Sequence, residues 1–135
     1  MELIRDEEFQ EGPIIKRPQD VAELMKNLTK KDREHFICIH LNTRNMVVGI
    51  EVIAIGILNA CTVHPREVFK AAILNSASGI ILVHNHPSGD CNPSEDDMKL
   101  TKRLVESGEM LGIEVIDHVI IGHEEFISMK DKNLL

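Results

Sequence analysis

Apolar and polar positions change their spacing several times along this chain, and each change marks an element. Val21, Leu24, Met25 and Leu28 fall three and four apart, the spacing of a helix with one buried face. Asp20, just ahead of them, is a candidate N-cap. Residues 36–41 are apolar on both sides apart from His40 and predict a strand covered on both faces. Thr43-Arg44-Asn45 reads as a turn, and residues 46–55 as a second strand that closes a hairpin with the first. Pro65 opens a second helix with Val68, Phe69, Ala72 and Ile73 on its apolar side, ended at Ser78-Gly79. The continuous apolar run 80–83 predicts a short, central, buried strand. A third helix over 94–111 is closed by Gly112, and strands over 113–121 and 126–129 follow, joined by a turn at Gly122. The alternation predicts an α/β fold: a mixed β-sheet flanked by helices on both faces, with a hairpin at each end. Residues 1–17 are polar, contain Gly12-Pro13, and read as an N-terminal arm ahead of one domain over 18–135.

Candidate chemistry concentrates where the central apolar run ends, in His84-Asn85-His86-Pro87-Ser88-Gly89-Asp90 and the following Ser94-Glu95-Asp96-Asp97. Residues two apart in a strand share a face, so His84 and His86 point the same way and Asn85 the other. Pro87 stops the strand, and Ser-Gly-Asp turns the chain toward the next helix. Asp97 falls in that helix's first turn. Two imidazoles and a carboxylate suit a three-ligand zinc site with a fourth position for water, and also non-haem iron. The acidic cluster has a structural reading too. Ser94 can cap the helix, Asp97 can complete a capping box, and acidic residues favour a helix N-terminus.

Composition restricts partners and class. At 135 residues the chain can form one domain with a sizeable core, and that core must be aliphatic because the only aromatics are four phenylalanines. No apolar run approaches the ~20 residues of a membrane span. The N-terminus is too acidic for a secretory signal. Cys38, Cys61 and Cys91 form no Cys-x-x-Cys pair and read as reduced thiols, with Cys38 and Cys61 in or near the core and Cys91 beside the histidines. These features predict a cytoplasmic protein. A net charge of −7 argues against nucleic-acid binding by this domain alone, since Lys30-Lys31-Asp32-Arg33 is its longest basic cluster.

The run His84-x-His86-Pro87, with seven residues from His86 to Ser94 and two from Ser94 to Asp97, resembles the JAMM motif of JAB/MPN metalloproteases. The full His-Asn-His-Pro-Ser-Gly-Asp run resembles the RadC-like branch of that family. Further matches lie at Leu41-Asn42-Thr43-Arg44-Asn45, Gly56-Ile57-Leu58-Asn59, Val63-His64-Pro65-Arg66-Glu67-Val68-Phe69, Asp117-His118 and Ser128. The resemblance implies the JAB/MPN fold, similar in architecture to cytidine deaminases. It implies a Zn2+ ion held by His84, His86 and Asp97, and hydrolysis of a peptide or isopeptide bond in a peptide or protein substrate. It also implies a glutamate proton shuttle upstream of the histidines. Glu34 matches by chain order, ahead of Glu51 and Glu67. The serine matching Ser94 implies help to the developing oxyanion.

The alternative class is a non-catalytic interaction module linked to DNA repair. Longer RadC proteins carry an N-terminal helical module, and this chain is expected to lack it. A zinc base deaminase is disfavoured because the His-x-Glu and Pro-Cys-x-x-Cys signature is missing. Asn85, His64, Arg66, His118 and His40 are expected to make structural hydrogen bonds.

Overall fold

The computed structural model describes residues 12–59 and 62–135. Cys61, expected in or near the core, lies outside the described residues. The element order is α1 (Pro18–Leu24), a 3-10 turn (Lys26–Lys30), β1 (His35–Leu41), β2 (Val47–Ile55), α2 (Pro65–Leu74), β3 (Gly79–Asn85), α3 (Glu95–Leu111), β4 (Glu114–Ile121) and β5 (Phe126–Ser128).

The strands form one mixed sheet in the order β2-β1-β3-β4-β5. β1 pairs antiparallel with both β2 and β3, β3 runs parallel to β4, and β4–β5 is a hairpin. A parallel pair needs a crossover connection, and α3 supplies it. β3 is buried at every residue, as its uninterrupted apolar run requires of a central strand.

Helices cover both faces. One core lies beneath α2 and α3 and joins Phe36, Cys38, Phe69, Ile80, Leu82 and Leu104. The other lies beneath α1 and the 3-10 turn and joins Val21, Leu28, Ile37, Ile39, Ile81 and Val83. Even and odd residues of β1 and β3 divide between these cores, as the two-residue period of a strand dictates. Burying a side chain such as Leu104 contributes about 1.5–3 kcal/mol, and the aliphatic core is the sum of such terms.

The N-cap of α1 is Arg17, not Asp20. Asp20 sits inside the first turn and its carboxylate reaches back to accept from the backbone N–H of Lys16 (2.8 Å) and Arg17 (3.0 Å). These bonds hold its carboxyl below the ordinary range. Within the segment read as an arm, Ile14 forms a bridge to Met46 and Ile15 is buried in the second core. At the other end of the fold, Gly112 takes φ +73° and closes α3 in the left-handed conformation that glycine adopts without penalty. No described helix is long and apolar enough to cross a membrane.

Candidate metal centre

The site forms where β3 ends and α3 begins. His84 is the next-to-last residue of β3 and His86 follows the strand directly. The backbone turns sharply after it: Gly89 N–H donates to the His86 carbonyl at 2.9 Å, and Gly89 has φ +91°. Ser94 then caps α3. Its Oγ accepts from Asp97 N–H at 3.0 Å, while its own N–H donates to Asp97 Oδ2 at 2.8 Å. This is the capping box expected from Ser94 and Asp97, with Asp in place of Glu or Gln. It turns the Asp97 carboxylate back toward the strand end.

The result is a tight convergence of acceptors. His84 Nε2 lies 2.9 Å from His86 Nε2 and 3.2 Å from Asp97 Oδ1. His86 Nε2 lies 3.1 Å from Asp97 Oδ2. The other nitrogen of each ring is engaged elsewhere. His86 Nδ1 is 2.7 Å from the Asp90 carbonyl, which can only accept, so His86 carries its hydrogen there and turns an unprotonated Nε2 inward when neutral. His84 Nδ1 is 2.7 Å from His118 Nε2. Two imidazole nitrogens and a carboxylate therefore face one point with few protons to share. A cation at that point relieves the crowding. Zinc bonds of about 2.0–2.1 Å at tetrahedral angles place ligand atoms about 3.3 Å apart, close to the separations here.

Charge at the site follows the same contacts. Hydrogen bonding to Asp97 raises the His86 pKa above its ordinary value against the opposing effect of burial. Burial by itself would raise the Asp97 pKa, but the two imidazoles more than offset it and hold the carboxyl far below the usual range. His118, fully buried, is pushed well below its ordinary value by desolvation and then by His84.

Glu34 stands at the open side of the cluster, with Oε1 3.9 Å from His86 Nε2 and its side chain about one-third exposed. Glu34, His84 and His86 present ligand atoms that all lie within 4.8 Å of one another. Its backbone is clamped on both sides. The Glu34 carbonyl accepts from Gly56 N–H at 2.8 Å. Asn85, buried on the opposite face of β3, accepts from His35 N–H at 2.7 Å and donates to the Arg33 carbonyl at 3.0 Å. One side-chain amide thus bonds the peptides on both sides of Glu34.

The other two glutamates lie elsewhere. Glu51 sits in mid-β2 opposite Cys38, two strands from β3. Glu67 lies in the first turn of α2 and forms exposed ion pairs with Arg66 and Lys70. Cys91 is buried beside Ile120 and Met129, and burial followed by Glu125 raises its pKa. His64 caps α2 by accepting from Arg66 N–H at 3.0 Å. Sequence reading overlooked Thr101. It lies four residues from Asp97 on the same face of α3, a spacing that could have marked it.

A five-stranded mixed sheet with helices on both faces and this strand-end cluster define an α/β domain of the JAB/MPN fold. Comparison with known families places it more narrowly: the chain belongs to the RadC-like JAB domain family, whose model matches residues 15–134. A UPF0758 protein of Desulforamulus reducens is 56% identical over 123 residues, covering 90% of this chain and 54% of the relative. A UPF0758 protein of Moorella thermoacetica is 53% identical over 123 residues, with 90% and 54% coverage. One from Bacillus cereus strain B4264 is 50% identical over 126 residues, with 93% and 56% coverage. The chain spans about half the length of the curated relatives it matches.

Proposed function

We propose that this domain is a zinc-dependent hydrolase of peptide or isopeptide bonds, with His84, His86 and Asp97 as the metal ligands. The observation that carries the reading is the meeting of His84 Nε2, His86 Nε2 and the Asp97 carboxylate within 2.9–3.2 Å, each held from behind by a partner. A bound zinc ion supplies Lewis acidity and brings the pKa of a coordinated water to about 7.

The remaining work falls to the protein. Glu34 is close enough to the cluster to accept a proton from the attacking water and exposed enough to pass it to a leaving amine. Its clamped backbone limits its search for that position. Ser94 is exposed beside the ligands, and its acceptor side is taken by the helix cap. Its hydroxyl hydrogen is left to donate to an oxyanion forming on the substrate carbonyl. The activity of any longer protein containing this domain, and its substrates, are part of the same proposal.

The test is elemental analysis of protein purified without chelator, followed by cleavage assays on a panel of peptide and isopeptide substrates. About one zinc per chain and cleavage slowed about 10²–10⁴-fold by Glu34→Gln are expected. A metal-free native protein would remove the ligand assignment. A zinc-loaded protein that cleaves nothing would favour the interaction module linked to DNA repair.

A further inference from the structure

We propose that His118 and Thr101 are positioning residues that hold His84 in the one tautomer able to bind a metal through Nε2. This rests on the zinc reading above and adds to it two residues outside the ligand set. The Thr101 hydroxyl sets the direction of the circuit. Thr101 Oγ1 donates to the Asp97 carbonyl at 2.7 Å. A hydroxyl has one hydrogen, so the same oxygen can only accept from His118 Nδ1, 2.5 Å away. A neutral His118 with its hydrogen on Nδ1 offers a lone pair at Nε2. His84 Nδ1, 2.7 Å from that atom, must then be the donor. With its hydrogen on Nδ1, His84 turns a lone pair at Nε2 toward His86 and Asp97.

The circuit starts on the side chain of one ligand and ends on the backbone of another. Every member is buried: His84 and His118 at 0%, Thr101 at 1% and Asp97 at 6% exposure. No exposed group or bulk water takes the place of a missing partner. The rings are also packed against Phe36. Phe36 stacks on His84 with centroids 6.0 Å apart and meets His118 edge-on at 5.6 Å. The reversed circuit turns the Thr101 hydroxyl toward His118 and puts the His84 hydrogen on Nε2, inside the cluster. That state cannot bind zinc through Nε2. Thr101, by keeping its hydrogen on the Asp97 carbonyl, selects the binding state.

The experiment is chelator-competition titration of zinc for the wild type, Thr101→Val and Thr101→Ser, together with nitrogen-15 histidine spectra of the metal-free wild type. Thr101→Val keeps the side-chain shape without the hydroxyl and is expected to lose about 10–100-fold in zinc affinity, the usual cost of removing a partner behind a ligand. Thr101→Ser is expected to restore it. The spectra are expected to show His84 and His118 both protonated at Nδ1. Undiminished zinc affinity in Thr101→Val overturns the proposal, as does a His118 protonated at Nε2 in the metal-free protein. The spectra need no variant, so the proposal stays decidable if Thr101→Val fails to fold. An unmutated chain that takes up no zinc overturns the metal reading and this proposal together. Loss of the tautomer result alone leaves the metal reading standing.

Discussion

The ladder between β1 and β3 carries a buried histidine near each end, and the two are built to opposite purposes. His84 sits on β3 across from Phe36, and His40 sits on β1 across from Ile80. Both are essentially inaccessible and both point into the layer beneath α2 and α3. His40 Nδ1 lies 2.8 Å from Nδ2 of the Asn75 side chain. Its Nε2 has no partner among the described residues. Burial lowers its pKa and keeps it neutral. His84 has a partner on each nitrogen and a carboxylate facing it. Burial of an imidazole therefore does not make a site. What distinguishes His84 is the convergence of other acceptors on its Nε2.

The comparison breaks most completely at the carboxylate. Asp97→Asn removes the charge and one good ligand while leaving a side chain able to cap α3. Zinc affinity is expected to fall by more than the about 10–100-fold that partners behind a ligand cost. Equilibrium dialysis against a chelator measures it. His40→Gln, at the other end of the ladder, is expected to leave zinc affinity unchanged.

Next in size is the proton shuttle. Glu34→Gln keeps shape and hydrogen bonding but cannot take a proton, and a loss of about 10²–10⁴-fold in single-turnover cleavage is expected with zinc retained. Glu51→Gln is expected to leave the rate near wild type, since its position opposite Cys38 keeps it away from β3. The reverse outcome would transfer the role to Glu51.

The Asn85 clamp is a smaller effect and separates stability from ligation. Asn85→Ala leaves the His35 N–H and the Arg33 carbonyl without their side-chain partner. A cost of about 1–3 kcal/mol in denaturant unfolding is expected, with zinc stoichiometry unchanged. A variant of wild-type stability would show that water replaces the amide.

The smallest effect is the pH response of His40. Its folded pKa lies below the ordinary 6.5. The unfolded chain therefore binds more protons on acidification, so stability is complete above about pH 6.5 and falls as pH drops toward the folded value. Unfolding curves between pH 5 and 7 are expected to show a shallower decline in His40→Gln. An identical slope in both proteins would place that pH dependence elsewhere.

Much of this architecture was legible because its signals are local. The buried β3 follows from an unbroken apolar run, and the shared direction of His84 and His86 follows from the two-residue period of a strand. The orientation of Asp97 follows from a cap that needs only the next three residues after Ser94. One local reading failed: Asp20 precedes an apolar period but acts from inside the first turn, because Pro18 begins α1 two residues earlier.

By itself, then, the sequence determined the order of elements, the direction of the two imidazoles and the turned-back carboxylate, because each depends on neighbours within a few residues. Only the tertiary structure decided which of three glutamates reaches the histidines. It also decided that Asn85 holds the chain beside Glu34, and that His118 and Thr101 stand behind His84. Those contacts join residues 17 to 52 positions apart. They exist because the β1–β3 and β3–β4 ladders bring distant strands into register and α3 packs its Thr101 face onto them. No periodicity along the chain encodes that register; it is set by the joint packing of the two aliphatic cores.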